Sequence, residues 1–135
     1  MAKRSTSRRL AMQALYQAES AGIDIDESLK NIFSSEQELV PATVEFAEML
    51  ARAAWADRAA SDQIITKLAI DWPLDRISKV DRAILQLALH ELKNKETPAS
   101  VVVDEAVELA KKYSSLEAGK FINGILGTYL RSGQA

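Results

Sequence analysis

Arg9, Gln13 and Tyr16 stand at i, i+4 and i+7, with Ser20 further on, so a helix places a cation, an amide and an aromatic ring along one face. Cations suit phosphates, amides read base edges and rings stack on bases, the combination by which single-stranded RNA is held. The nine residues MAKRSTSRR carry Lys3, Arg4, Arg8 and Arg9 and no acid, although the chain has a formal net charge of -2. Positive charge is thus concentrated where a helix begins, and the free backbone N–H groups there add to the pull on phosphate. The competing reading is a solubilising terminus. Against it, Arg8 and Arg9 fall inside the first turns of the helix, which gives them fixed positions.

A second group of cations and rings lies near the other end: Lys111, Lys112 and Tyr113, then Lys120, Phe121 and Asn123. Spacing alone favours Tyr113 and Phe121 as core residues flanked by solvated lysines. In the segment VDRAILQLALHEL, the charged residues Asp75, Arg76, Lys79, Asp81 and Arg82 precede or open an apolar helix. Asp81 suits a helix cap and favours the N-terminal dipole. The alternative is a protein-binding face of mixed charge.

Catalytic chemistry has little to work with. Cysteine is absent, which removes disulfides, thiolate nucleophiles and Cys-based zinc sites. His90 is the one histidine and sits on a heavily apolar helix, as a partly buried or interface residue. A metal site would rest on carboxylates such as Asp104, Glu105 and Glu108, a pattern more often found on a solvated helix face. No P-loop, GxGxxG or GxSxG pattern occurs. We therefore expect no catalysis, no metal and no cofactor. No apolar run reaches the roughly 18 residues of a membrane span. Gln13, Gln17 and Glu19 interrupt any secretory h-region. An acid-free stretch of Arg and Ser is also the composition of a mitochondrial presequence, but this one runs straight into a helix that the core needs. A soluble, cytoplasmic protein is expected.

The elements that must position these residues are helical almost throughout. Hydrophobic residues make up 47% and charged residues 27% of the 135, an ordinary globular balance for one domain. Apolar spacing follows the helical period, so the fold class is all-α. The first helix runs from about Ser5 or Thr6 to Ser20, with Leu10, Ala11, Ala14, Leu15 and Ala18 inward. A short helix from about Asp26 to Phe33 is capped by Asp24 or Asp26. Pro41 opens a long helix that breaks near Ala59 to Asp62. Asp71-Trp72-Pro73 marks the clearest boundary, because a residue before proline disfavours helix. Beyond it the apolar residues Val80 to Leu92 cover most of a circumference, as in a buried central helix. Val101 to Tyr113 forms the next helix, and Ser114 with Glu117 offers a capping box for the last. About seven helices in two packed three-helix-type bundles result, with sub-bundles at about 5–70 and about 74–131 and the basic arm at 1–9.

Taken together, RRLAMQALYQAE, DWPLDRISKVDRAILQLALHELKNKETPASVVVDEAVELAKKY and GKFINGILGTYL resemble the NusB family of bacterial transcription antitermination proteins. The resemblance spans nearly the whole chain, apart from about Asp24 to Ala60. It implies two small helical bundles and binding to the boxA element of nascent ribosomal RNA. The implied partner is NusE, the small-subunit ribosomal protein that doubles as a transcription factor, within the antitermination complex of RNA polymerase. It implies neither catalysis nor a cofactor. Carried over by position, the RNA surface falls on Arg4, Arg8, Gln13, Tyr16, Tyr113, Lys120, Phe121 and Asn123, to which the arm adds Lys3 and Arg9. The NusE-facing surface falls on Asp75, Asp81, Ile84, Leu85 and His90. The alternative function is a protein-interaction or scaffold module, including a homodimer that masks its own RNA surface.

Overall fold

The computed structural model describes residues 4–70 and 72–132, so Lys3 lies outside the described residues. These form seven α-helices: α1 (Arg4–Ala21), α2 (Ile25–Ser34), α3 (Pro41–Ala56), α4 (Arg58–Leu68), α5 (Lys79–Asn94), α6 (Ala99–Tyr113) and α7 (Leu116–Arg131). A 3-10 turn at Leu74–Arg76 leads into α5. The fold is all-α, as the periodicity requires.

Short-range chemistry explains most boundaries. Gly22, at φ 66, ends α1 in the left-handed conformation, and the N–H groups of Gly22 and Ile23 both donate to the Ala18 carbonyl. The Asp24 carboxylate caps α2 by accepting the Glu27 N–H at 2.9 Å. Pro41 occupies the first turn of α3.

Three boundaries differ from the sequence reading. The break between α3 and α4 falls at Asp57, earlier than Ala59 to Asp62. Ser61 is buried, and the Asp62 carboxylate accepts from Arg82 and Gln86 on α5, so neither residue serves as a cap. Ser78, not Asp81, caps α5: its Oγ accepts the Asp81 N–H at 3.1 Å. Ser115, not Ser114, caps α7 by accepting the Ala118 N–H at 3.0 Å, so the Ser114–Glu117 box does not form. Ser115 has the extended backbone that a cap needs, at φ -161 and ψ 168, whereas Ser114 does not, at φ -128 and ψ -91.

Helix α5 is the hub. It packs against α1, α3, α4, α6 and α7, and its buried residues run almost without interruption from Ala83 to Leu89. Helices α1, α2 and α3 pack on one another, as do α5, α6 and α7. Helix α4 lies against α5 and α7, so packing partners change at the α3–α4 bend rather than at Trp72-Pro73. One continuous core joins the halves, with Leu15 and Leu50 from the first and Ile84, Leu89, Ile122 and Leu126 from the second.

Candidate nucleic-acid interface

The basic start of α1 divides into three different environments. Arg4 is exposed, with its guanidinium carbon 3.7 Å from the centre of the Phe46 ring on α3. Cation–π attraction steers that charge without removing it from water. Arg8, one turn on, lies farther from the same ring, at 5.6 Å, and is enclosed by the protein. It is 4% exposed, and its Nε and Nη2 donate to the two carboxylate oxygens of Glu91 on α5 at 2.8 and 2.9 Å. Glu105 on α6 stands 3.8 Å from its Nη1. Burial alone would lower the pKa of Arg8, but the hydrogen bond to Glu91 and the charges of Glu91 and Glu105 raise it. The placement of Arg8 on the RNA surface is therefore corrected: it is an internal strut between α1 and α5. The helical period causes this, because Arg8 lies one turn from the buried Ala11 and Met12 while Arg9 lies on the flank.

Arg9 is half-buried. Its Nη2 donates to Glu36 at 2.8 Å and its Nη1 to Gln13 Oε1 at 3.3 Å. The Glu36 hydrogen bond holds its pKa above the ordinary value against partial burial, helped by the charges of Glu36 and Tyr113. The predicted Arg9–Gln13–Tyr16 face thus exists, with Tyr16 40% exposed beyond the Arg9–Gln13 hydrogen bond. Gln13, Tyr16, Gln17, Ile32 and Glu36 line a groove of about 510 Å³ between α1 and α2.

A second groove, also about 510 Å³, runs between the start of α1 and the end of α6. Ser5, Thr6 and Arg9 form one wall, and Glu108, Lys112 and Tyr113 belong to the other. It unites the arm with Tyr113, residues that are far apart in sequence. Ser5 also donates to Glu105 at 2.6 Å, which ties the arm to α6. Phe121 belongs to a different neighbourhood: its ring lies 6.4 Å from that of Trp72, tilted by 44°. Lys120 and Asn123 are exposed on the same helix, with Lys120 Nζ 3.8 Å from Glu117. Sequence reasoning missed Phe46 and Trp72. Phe46 fitted an inward stripe, and Trp72 registered only as the residue before a proline.

The expected partner face is altered more. Asp75 is exposed. Ile84 and Leu85 are 1% and 0% exposed, so they form core and cannot present side chains to a partner. Asp81 is buried, and its Oδ1 has no hydrogen-bond partner among the described residues. The reason is the central position of α5, which leaves it little solvent face. His90 is half-buried, with Nδ1 3.6 Å from Asp57 Oδ2, too long for a hydrogen bond, and Nε2 3.3 Å from Asn94 Nδ2. Lys93 completes the cluster by pairing with Asp57.

The environment of Asp57 gives a pH prediction. Partial burial pushes its carboxyl up, but the hydrogen bond and charge of Lys93, with His90 behind, hold it below the usual carboxylate range. A depressed carboxyl pKa contributes stability above the unfolded value and loses it as pH falls through the folded one. Asp57→Asn should cost at most about 1 kcal/mol at neutral pH, since the pair is partly exposed. The difference from wild type should persist down to about pH 4 and shrink only below it, as pH falls through the still lower folded value. Urea titrations at pH 7 and at about pH 2, well below the ordinary carboxylate value, check this; a constant difference would contradict it.

The described residues contain no cluster of three or more His, Cys, Asp or Glu that could hold a metal ion. None of their helices is long and apolar enough to cross a membrane. The described residues form an all-helical domain with cations, amides and aromatic rings along two grooves, one at the start of α1 and one along its second half. The NusB family model matches residues 5–131. The transcription antitermination protein NusB of Symbiobacterium thermophilum is 42% identical over 136 residues, 95% of this chain and 89% of that one. The protein of the same name from Bacillus subtilis is 38% identical, covering 92% of each chain. A crystal structure of the antitermination factors NusB and NusE in complex with dsRNA is 30% identical at a TM-score of 0.87, covering 96% of each chain. A chain from the crystal structure of a plectonemic RNA supercoil reaches a TM-score of 0.91 at 29% identity, covering 98% of this chain and 96% of that one. This chain belongs to the NusB family.

Proposed function

We propose that this protein is a transcription antitermination factor that binds boxA-type RNA jointly with NusE. The observation that carries the reading is the match over residues 5–131 to a family that includes a chain crystallised with NusE and dsRNA. The two grooves are consistent with it. Arg4 and Lys112 supply exposed charge, Gln13 an amide, and Tyr16 and Tyr113 stacking surface. With Arg8 buried against Glu91 and Arg9 paired with Glu36, Arg4 is the described arginine at the start of α1 left to meet phosphate. Electrostatic attraction by this chain alone is correspondingly modest, and a partner that adds contacts raises affinity. Function is non-catalytic: the protein assembles RNA with the RNA polymerase antitermination complex.

The test is binding to single-stranded boxA-type RNA, to its duplex and to an unrelated RNA, with and without NusE, across a salt series. NusE is expected to tighten boxA binding. Arg4→Ala is expected to reduce the slope of log K against log salt by about 0.7 for the single strand, while thermal unfolding stays unchanged. Equal binding to all RNAs with no partner effect would overturn the reading.

A further inference from the structure

Gly124 lies in the middle of α7, is exposed, and has nothing within 4 Å of where a Cβ would stand. Glycine is the poorest helix former after proline, and alanine would fit there without a clash. Its carbonyl accepts the Thr128 hydroxyl at 2.9 Å, a bond that any residue's backbone could make. Packing within this chain therefore gives no reason for a glycine.

What surrounds it points outward. Phe121 is three residues before Gly124 and Lys120 four before it, so all three share one flank of the helix. Lys120 is 78% exposed at its side chain. Trp72, 53% exposed, sets its ring 6.4 Å from Phe121 at 44°. A half-exposed tryptophan ring against the partly buried Phe121, next to a bare stretch of helix backbone and an exposed lysine whose Nζ lies 3.8 Å from Glu117, is an arrangement suited to one nucleotide. A base lies on the rings, its sugar comes close to the backbone where no side chain intervenes, and its phosphate meets the lysine.

We propose that Trp72 and Gly124 are RNA-contacting residues: Trp72 extends the Phe121 stacking surface, and Gly124 is the notch that lets an unpaired nucleotide approach α7. The proposal rests on the RNA-binding reading above and adds two residues to it. The occupant is single-stranded RNA rather than a protein segment, because Lys120 flanks the aromatic surface in an ion pair with Glu117 so solvent-exposed and long that a phosphate can compete for the ammonium.

The test uses the full chain with single-stranded boxA-type RNA and NusE. Gly124→Ala is expected to raise the melting temperature and yet weaken RNA binding about tenfold, opposite signs that a purely structural glycine would not give. Trp72→Leu is expected to weaken binding about tenfold with the salt slope unchanged, and Trp72→Phe to retain most of the affinity. In a Trp55→Phe background, where Trp72 is the remaining tryptophan, RNA should quench the fluorescence. If Gly124→Ala and Trp72→Leu both bind within about twofold of wild type while Arg4→Ala still lowers the salt slope, this proposal is overturned and the RNA reading stands. If the wild-type protein fails to bind the RNA, both are overturned.

Discussion

Glu91→Ala should cost about 3–5 kcal/mol of folding stability, because it leaves the Arg8 guanidinium buried without its bidentate partner. Arginine cannot shed its charge at any ordinary pH, so it cannot neutralise itself as a buried carboxylate or lysine would. The remaining acid, Glu105, is 3.8 Å from Nη1 and 26% exposed at its side chain, too distant and too solvated to replace two short hydrogen bonds. Urea unfolding at pH 7 should show a large drop in midpoint with little change in slope. The paired substitution Arg8→Met with Glu91→Leu should recover most of the loss, since similar apolar volume removes both desolvation penalties. Arg8→Ala alone should weaken RNA binding only in proportion to the unfolded fraction, with the salt slope of the folded protein unchanged. A lowered slope in fully folded Arg8→Ala would contradict the strut role.

Leu85→Ala is the second large effect, expected at about 2–5 kcal/mol from lost apolar transfer and the cavity left in the core. Leu85 is 0% exposed and stands in the helix that every part of the core touches except α2. Its family-derived position on the partner face predicts something different: normal stability and weaker NusE binding. The two readings separate cleanly in one protein preparation. Thermal unfolding of Leu85→Ala should show the loss, and NusE titration under conditions where the variant stays folded should give near-wild-type affinity. Asp75→Ala, at an exposed position, is the matching control, expected to leave stability within about 0.5 kcal/mol of wild type.

Helix existence was legible because it depends on neighbours in sequence. The alternation of Leu10, Ala11, Ala14, Leu15 and Ala18 demands one buried stripe, and those residues are buried. Caps were legible only to within one to three residues. Ser114 and Ser115 have equal hydroxyls, and the backbone angle that decides between them comes from how α6 hands over to α7. Asp57 escaped notice for a similar reason. It carries no motif, and it becomes a node only when Lys93 and His90 arrive from α5.

The candidate site shows the same division. The Arg9–Gln13–Tyr16 face follows from a four-residue spacing, and the first hydrogen bond in it spans that spacing. The junction of the arm with Tyr113, and of Trp72 with Phe121, needed the chain to fold.

By itself, then, the sequence determined the all-helical class, the family, the absence of thiol chemistry and the basic, amide and aromatic composition of the first helix, since each depends on residue type and short-range period. Tertiary structure decided which of those charges face water. Arg4, Arg8 and Arg9 are chemically alike and close in sequence. One stays exposed over Phe46, one is drawn inside by Glu91 from 83 residues away, and one is held by Glu36. The strength of a charge toward a ligand depends on what desolvates and neutralises it, and those partners are brought together only by the packing of α1 against α3, α5 and α6.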